Sequence, residues 1–198
     1  MISSDPAVTS ADPIAIREES AMPMPTSVVE RTHVVLPSHI GPLTLVAEDG
    51  MLTGLYMDMQ AHRPGNSVLG GEGDPRAEPF ASAARQLGEY FAGRRTVFDL
   101  PLAPAGTQFQ RRVWAALQAI PYGQTSSYGQ LAQAVGSPSA SRAVGLANGR
   151  NPIAVVIPCH RVIGADGSLT GYGGGLDRKR YLLGLEAGAA VADAPAVR

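Results

Sequence analysis

A single cysteine, Cys159, is the strongest nucleophile available to this chain. It lies in the run Asn151-Pro152-Ile153-Ala154-Val155-Val156-Ile157-Pro158-Cys159-His160-Arg161-Val162. An apolar stretch fit for burial is stopped by a proline, and a thiol, a base and a cation then follow in succession. A thiol reacts as its thiolate, and a free pKa of about 8.5 leaves only about a few per cent ionised at neutral pH. A positioned base and neighbouring positive charge are the usual means of raising that fraction, so the order of residues reads as a nucleophile with its activators. The alternative is a buried cysteine acting as a small hydrophobe, the commoner fate of a lone thiol. An inert thiol gives no reason to bury an imidazole and a guanidinium beside it at a desolvation cost, and the nucleophile is the better reading.

Composition narrows the chemistry. One cysteine excludes an intramolecular disulfide and a multi-thiolate zinc or iron–sulfur site, and the four histidines (His33, His39, His62, His160) show no metal-ligand spacing. The expectation is a reducing compartment, no metal and no cofactor. The chain has 198 residues and 44% hydrophobic content, enough for one domain or two small ones. Charge divides unevenly: residues 1–103 hold 7 basic and 13 acidic side chains, residues 104–198 hold 9 and 4. A basic half carrying the thiol suggests a module that faces a polyanion. Residues 1–27 lack the basic start and apolar core of a signal peptide and read as a disordered tail, with a second flexible tail over 189–198. No stretch is apolar enough to span a membrane, and a cytoplasmic location is expected.

The elements that must position the thiol fall into two groups. Residues 28–103 read as a small α+β domain. Val34-Val35-Leu36, Leu43 to Ala47 and Leu52 to Met57 are strand-like, with Glu48-Asp49-Gly50 as a hairpin turn. Residues 60–75 read as a loop, and Asp74-Pro75 caps a helix that buries Phe80, Ala84, Leu87 and Phe91 before Gly93 ends it. Residues 104–188 read as a mainly helical domain. Thr107-x-x-Gln110 is a capping box ahead of Phe109, Val113, Leu117 and Ile120, and Ser127-x-x-Gln130 is a second. The latter opens a short helix that Gly136 closes. Ser137-Pro138 then caps and starts another helix running to about Gly149, which makes a helix-turn-helix. A plain helical hairpin is the alternative reading. Almost every residue of that second helix is small, and Arg142 is the long side chain of its first half. Such a helix suits close approach to phosphates and to DNA shape rather than base reading.

Taken together, Arg142-Ala143-Val144-Gly145, Asn151-Pro152, Ile157-Pro158-Cys159-His160-Arg161-Val162, Gly171-Tyr172-Gly173-Gly174-Gly175 and a helix ending at Glu186 resemble the O6-alkylguanine-DNA alkyltransferase family over about Thr107 to Glu186. The first half fits that family in length and coarse strand pattern. The resemblance implies an α+β protein whose small N-terminal sheet domain precedes a winged-helix-like domain with the helix-turn-helix. It implies a DNA repair protein that moves alkyl groups from guanine O6, and from thymine O4, onto itself. Cys159 would be the acceptor, His160 a base acting through a water, Glu186 the group that orients the imidazole, and Asn151 the brace of the reactive turn. Tyr128 would protonate the departing guanine at N3, and Arg142 would fill the gap left by a flipped nucleotide. Gly129, Ser137 and Ala143 would meet DNA, and Tyr172, Gly173 and Val162 would line the base pocket. Gly173 departs from the serine often found there, which leaves a backbone donor but no hydroxyl. The implied partner is double-stranded DNA bearing the lesion, met by a monomer. Two rival readings remain on sequence: a cysteine hydrolase, and a DNA-binding regulator without chemistry.

Overall fold

The computed structural model describes residues 30–189; the expected tails lie almost wholly outside them. Three strands come first: β1 (Arg31–Leu36), β2 (Leu43–Glu48) and β3 (Met51–Met57). The hairpin between β2 and β3 turns at Asp49 and Gly50, both at positive φ (50° and 74°). Paired left-handed residues match the right-handed twist of the strands they join. The two-residue strand β4 (Gly71–Glu72) pairs parallel to β1, giving the order β3-β2-β1-β4. The loop reading of residues 60–75 missed this strand, which is too short to carry a pattern. Central β2 is buried along Leu43 to Ala47. Each such leucine or valine contributes about 1.5–3 kcal/mol by leaving water.

Helix α1 (Phe80–Phe91) shares a hydrophobic core with the sheet. It begins six residues beyond Asp74, because that carboxylate bonds the Arg76 amide and guanidinium and closes a separate turn. Its buried face includes Ala83, Gln86 and Tyr90, while Ala84 is half-buried. Both expected capping boxes are formed, at Thr107 before α2 (Gln108–Gln118) and at Ser127 before α3 (Tyr128–Ala134). Gly136 sits at φ 70°, with the Ser137 amide bonded back to Ala132, so α3 ends as the sequence indicates. The next helix differs. Ser137 to Ala140 form a turn closed by the Ala140 amide on the Ser137 carbonyl, and α4 (Ser141–Gly149) starts three residues late with no side-chain cap. A strand pair, β5 (Ser126–Ser127) and β6 (Val162–Ile163), and α5 (Leu176–Glu186) complete the chain.

The edge of the N-terminal sheet does structural work for the other half. Leu55 on β3 donates its amide to the Pro152 carbonyl (2.8 Å) and accepts from Ala154 (3.0 Å). The apolar run that precedes the thiol is thus fastened to the β3 edge, where Leu52 also bonds to Pro101 and Ala103. Arg178 on α5 adds bonds to the Ile40 carbonyl (2.8 Å) and the Asp58 carbonyl (2.7 Å). One continuous hydrophobic core joins Leu45 and Leu55 to Trp114, Val144 and Ile157.

Candidate active site

The reactive segment is a chain of tight turns rather than a strand. Val155 occupies φ 70°, a conformation that costs a β-branched residue on the order of 1–3 kcal/mol and persists only where surroundings enforce it. Asn151 supplies part of that enforcement. Its amide donates to the Ile157 carbonyl (2.7 Å), and its carbonyl accepts from the Ile153 amide (3.0 Å). The chain then enters a single 3₁₀ turn, Cys159–Arg161, all three residues buried. With three residues per turn, successive side chains diverge by about 120°. Cys159, His160 and Arg161 therefore face three different surroundings.

Burial pushes the Cys159 thiol up to about 11, despite relief from Asn151, from the backbone amides of Cys159 and His160, and from the Lys179 charge. At neutral pH that leaves Cys159 as a neutral thiol. The Arg161 guanidinium points away from sulfur, to the Ile120 carbonyl (2.6 Å) and to Glu186.

His160 is fully buried and lies 2.8 Å from Glu186 Oε1 through Nε2. Burial holds its pKa below the ordinary value, although Glu186 pulls the other way. Glu186 also accepts from the Tyr90 hydroxyl (2.7 Å), from Arg161 Nε (2.8 Å) and Nη2 (3.0 Å), and from the Gly123 amide (3.1 Å). Burial raises this carboxyl, but the bonds from His160, Arg161 and Tyr90 outweigh it and hold it at about 2. Gly123 can approach so closely because it sits at φ 73°, and a Cβ there would stand 3.0 Å from the Glu186 carbonyl oxygen. A carboxylate facing Nε2 fixes the tautomer: Nε2 carries the hydrogen and Nδ1 is the basic atom. Nδ1 is buried with no hydrogen-bond partner among the described residues.

The remaining expected residues divide into two sets. Tyr128, at the start of α3, donates to the carbonyls of Thr170 and Gly171 (both 3.4 Å). Its ring packs against α4 at Gly145, where a Cβ would lie 3.6 Å away. Tyr172 meets the His160 ring edge-on at 6.5 Å. Burial raises both phenols, so both are protonated at neutral pH. The Gly173 carbonyl accepts from Ala61, tying this loop to the N-terminal half. Val162 is wholly buried on β6, and its carbonyl accepts from Lys179. Arg142 and Ala143 stand apart, exposed on the first turn of α4, with Gly129 and Ser137 half-buried nearby. Leu146, one turn beyond Arg142, is 65% exposed among the otherwise small residues of that helix.

Sequence reading missed three contributors. Lys179 is completely buried and donates to the carbonyls of Val162 and Thr170 (both 2.6 Å). Tyr90 reaches Glu186 across 96 positions, and only its place on the apolar face of α1 hinted at burial. Gly123 lies in a turn with no visible chemistry. Among the described residues no group of His, Cys, Asp or Glu could hold a metal, and no helix is long and apolar enough to cross a membrane. A cavity of about 650 Å³ lies between the β1–β2 turn and α1, lined by Leu36, Ser38, His39, Leu87 and Phe91, and Cys159 is not part of its lining.

Fold and site together define a two-part α+β protein in which a helix-turn-helix adjoins a buried cysteine served by a histidine–glutamate pair. The family described as 6-O-methylguanine DNA methyltransferase matches through its ribonuclease-like domain over residues 33–104 and its DNA binding domain over residues 108–188. A methylated-DNA–protein-cysteine methyltransferase of Mycolicibacterium paratuberculosis is 61% identical over 149 residues, covering 75% of this chain and 88% of that protein. One from Methanosarcina acetivorans is 49% identical over 154 residues, covering 78% and 97%. The crystal structure of Mycobacterium tuberculosis OGT in complex with DNA superposes with a TM-score of 0.75 at 54% identity, covering 79% of this chain and 93% of that one. The chain belongs to the 6-O-methylguanine DNA methyltransferase family.

Proposed function

We propose that this chain repairs DNA by moving methyl and larger alkyl groups from guanine O6, and from thymine O4, onto Cys159. The observation that carries the reading is the sole cysteine, held on a braced turn beside a neutral imidazole whose free nitrogen has no partner among the described residues. In this reading Arg142, Ala143, Gly129 and Ser137 meet duplex DNA, and Arg142 fills the space of an extruded nucleotide. The base enters beside Tyr172, Gly173 and Val162. The thiol proton passes through a water to His160 Nδ1, and Glu186 stabilises the imidazolium. Sulfur then attacks the alkyl carbon, forming C–S as C–O6 breaks, and the electron pair leaves with guanine. Tyr128 protonates that base at N3.

A thiol held near 11 suits this order of events. The nucleophile is inert until the proton has somewhere to go. No cofactor enters the balance, and the thioether product has no second nucleophile to release it, so one molecule repairs one lesion. Residues 104–188 carry the chemistry and residues 28–103 brace it. The protein acts inside the cell, where its DNA is, and as a monomer.

Duplex DNA with a labelled methyl on guanine O6 tests the proposal. The label should move to protein and plateau at one equivalent. Release of free methanol with continuing turnover would instead favour a hydrolase, and binding without transfer a regulator.

A further inference from the structure

We infer that Tyr90 is a positioning residue for alkyl transfer: its hydroxyl shares the Glu186 oxygen that receives the His160 N–H, and so sets how strongly that carboxylate holds the imidazole proton. The inference rests on the roles of Cys159, His160 and Glu186 proposed above. It gives the N-terminal half a direct part in the reaction.

Three donors converge on Glu186 Oε1: the Tyr90 hydroxyl at 2.7 Å, His160 Nε2 at 2.8 Å and Arg161 Nη2 at 3.0 Å. Oε2 is held separately by Arg161 Nε and the Gly123 amide. Tyr90 is the shortest of the five bonds and comes from α1, in the other half of the molecule. Packing alone does not ask for its hydroxyl. The ring is fully buried and edge-on to Phe91 (5.4 Å) and Tyr122 (6.0 Å), contacts that phenylalanine would keep.

A carboxylate that shares its charge with a hydroxyl attracts an imidazolium less. Removing that donor concentrates charge on Oε1 and favours a second proton on His160. That proton would occupy Nδ1, the atom needed to receive the thiol proton and one with no partner among the described residues. Tyr90 therefore keeps the base available. Other groups facing this centre are Arg161 and Cys159 on the reactive turn, Tyr122 after α2, Tyr172 before α5 and Lys179 on α5. All are left in place by a change at Tyr90.

The test uses the full chain with Tyr90→Phe and a free alkylated guanine base, which needs no flipping. Transfer rate is followed across pH, and circular dichroism checks the fold. A hydrogen bond to a charged group is worth roughly one pKa unit or more. The acid limb of the profile should therefore move up by about one pH unit, an approximately tenfold loss on that limb, with the alkaline plateau unchanged within about twofold. Tyr122→Phe, which removes a neighbouring hydroxyl that does not bond the carboxylate, should leave the limb in place. Incorporating 3-fluorotyrosine at position 90 keeps the packing and strengthens the donor, and should move the limb down. An unmoved limb, or an equal loss at every pH, would overturn the inference while leaving the proposed function standing. Failure of the wild-type protein to accept the alkyl group would overturn both.

Discussion

Glu186→Gln removes one charge and almost no volume, and the structure indicates a large effect. The carboxylate accepts five hydrogen bonds and neutralises Arg161, whose side chain is 8% exposed. Its carboxyl is held at about 2 against an ordinary value of 4.5, a difference worth about 3 kcal/mol by linkage. Breaking a buried pair by removing one partner typically costs about 3–5 kcal/mol, which agrees in size. Because the folded pKa is depressed, this stability is present above about pH 4.5 and is lost as pH falls toward 2. At neutral pH the variant should melt roughly 6–20 °C below wild type, from about 2–4 °C per kcal/mol for a domain of this size. The two should converge as the pH falls through that window. His160 also destabilises the fold in acid, since burial depresses its pKa, but it does so in both proteins. Denaturant titrations at a series of pH values measure the difference. Equal stability at neutral pH, or parallel acid slopes, would refute the view that Glu186 holds the site together as an anion.

Three further outcomes follow from the same geometry. Cys159 in the free protein should react slowly with iodoacetamide at neutral pH and accelerate toward a midpoint near 11; a midpoint at about 8.5, the free-thiol value, would mean that the turn is open to water. Arg142→Ala should slow repair of duplex DNA by orders of magnitude more than transfer from a free alkylated guanine, since only the duplex requires a nucleotide to flip at a cost of about a few kcal/mol; equal losses would place Arg142 in the pocket itself. Lys179→Met should destabilise the fold by about 1–3 kcal/mol, because the buried Val162 carbonyl loses this charged donor, and an unchanged denaturation midpoint would contradict that.

How much of this was legible in the sequence depends on range. Features set within a few residues were clear: both capping boxes, the Asp49-Gly50 hairpin and the Gly136 helix end all appear where their turn chemistry puts them. The start of α4 was misplaced because Ser137-Pro138 suits a cap and a tight turn equally well, and the Ala140–Ser137 bond decides between them. Cys159 stood out by type and context, but its activation was read from adjacency. In a 3₁₀ turn adjacency separates side chains, so Arg161 serves Glu186 and burial governs the thiol. Glu186 itself emerged only through the family resemblance. Tyr90, Lys179 and Gly123 were hidden because each acts through a contact made by folding, and no local pattern marks a tyrosine on an apolar helix face as the partner of a carboxylate 96 residues away.

The central claim is that Cys159 is the alkyl acceptor, and mass spectrometry of the protein after exposure to methylated duplex DNA tests it most directly. The intact protein should gain one methyl in place of one hydrogen, the modified peptide should contain Cys159, and Cys159→Ala should bind the same DNA and gain nothing. A methyl group on any other residue, or a gain that survives in Cys159→Ala, would contradict the account.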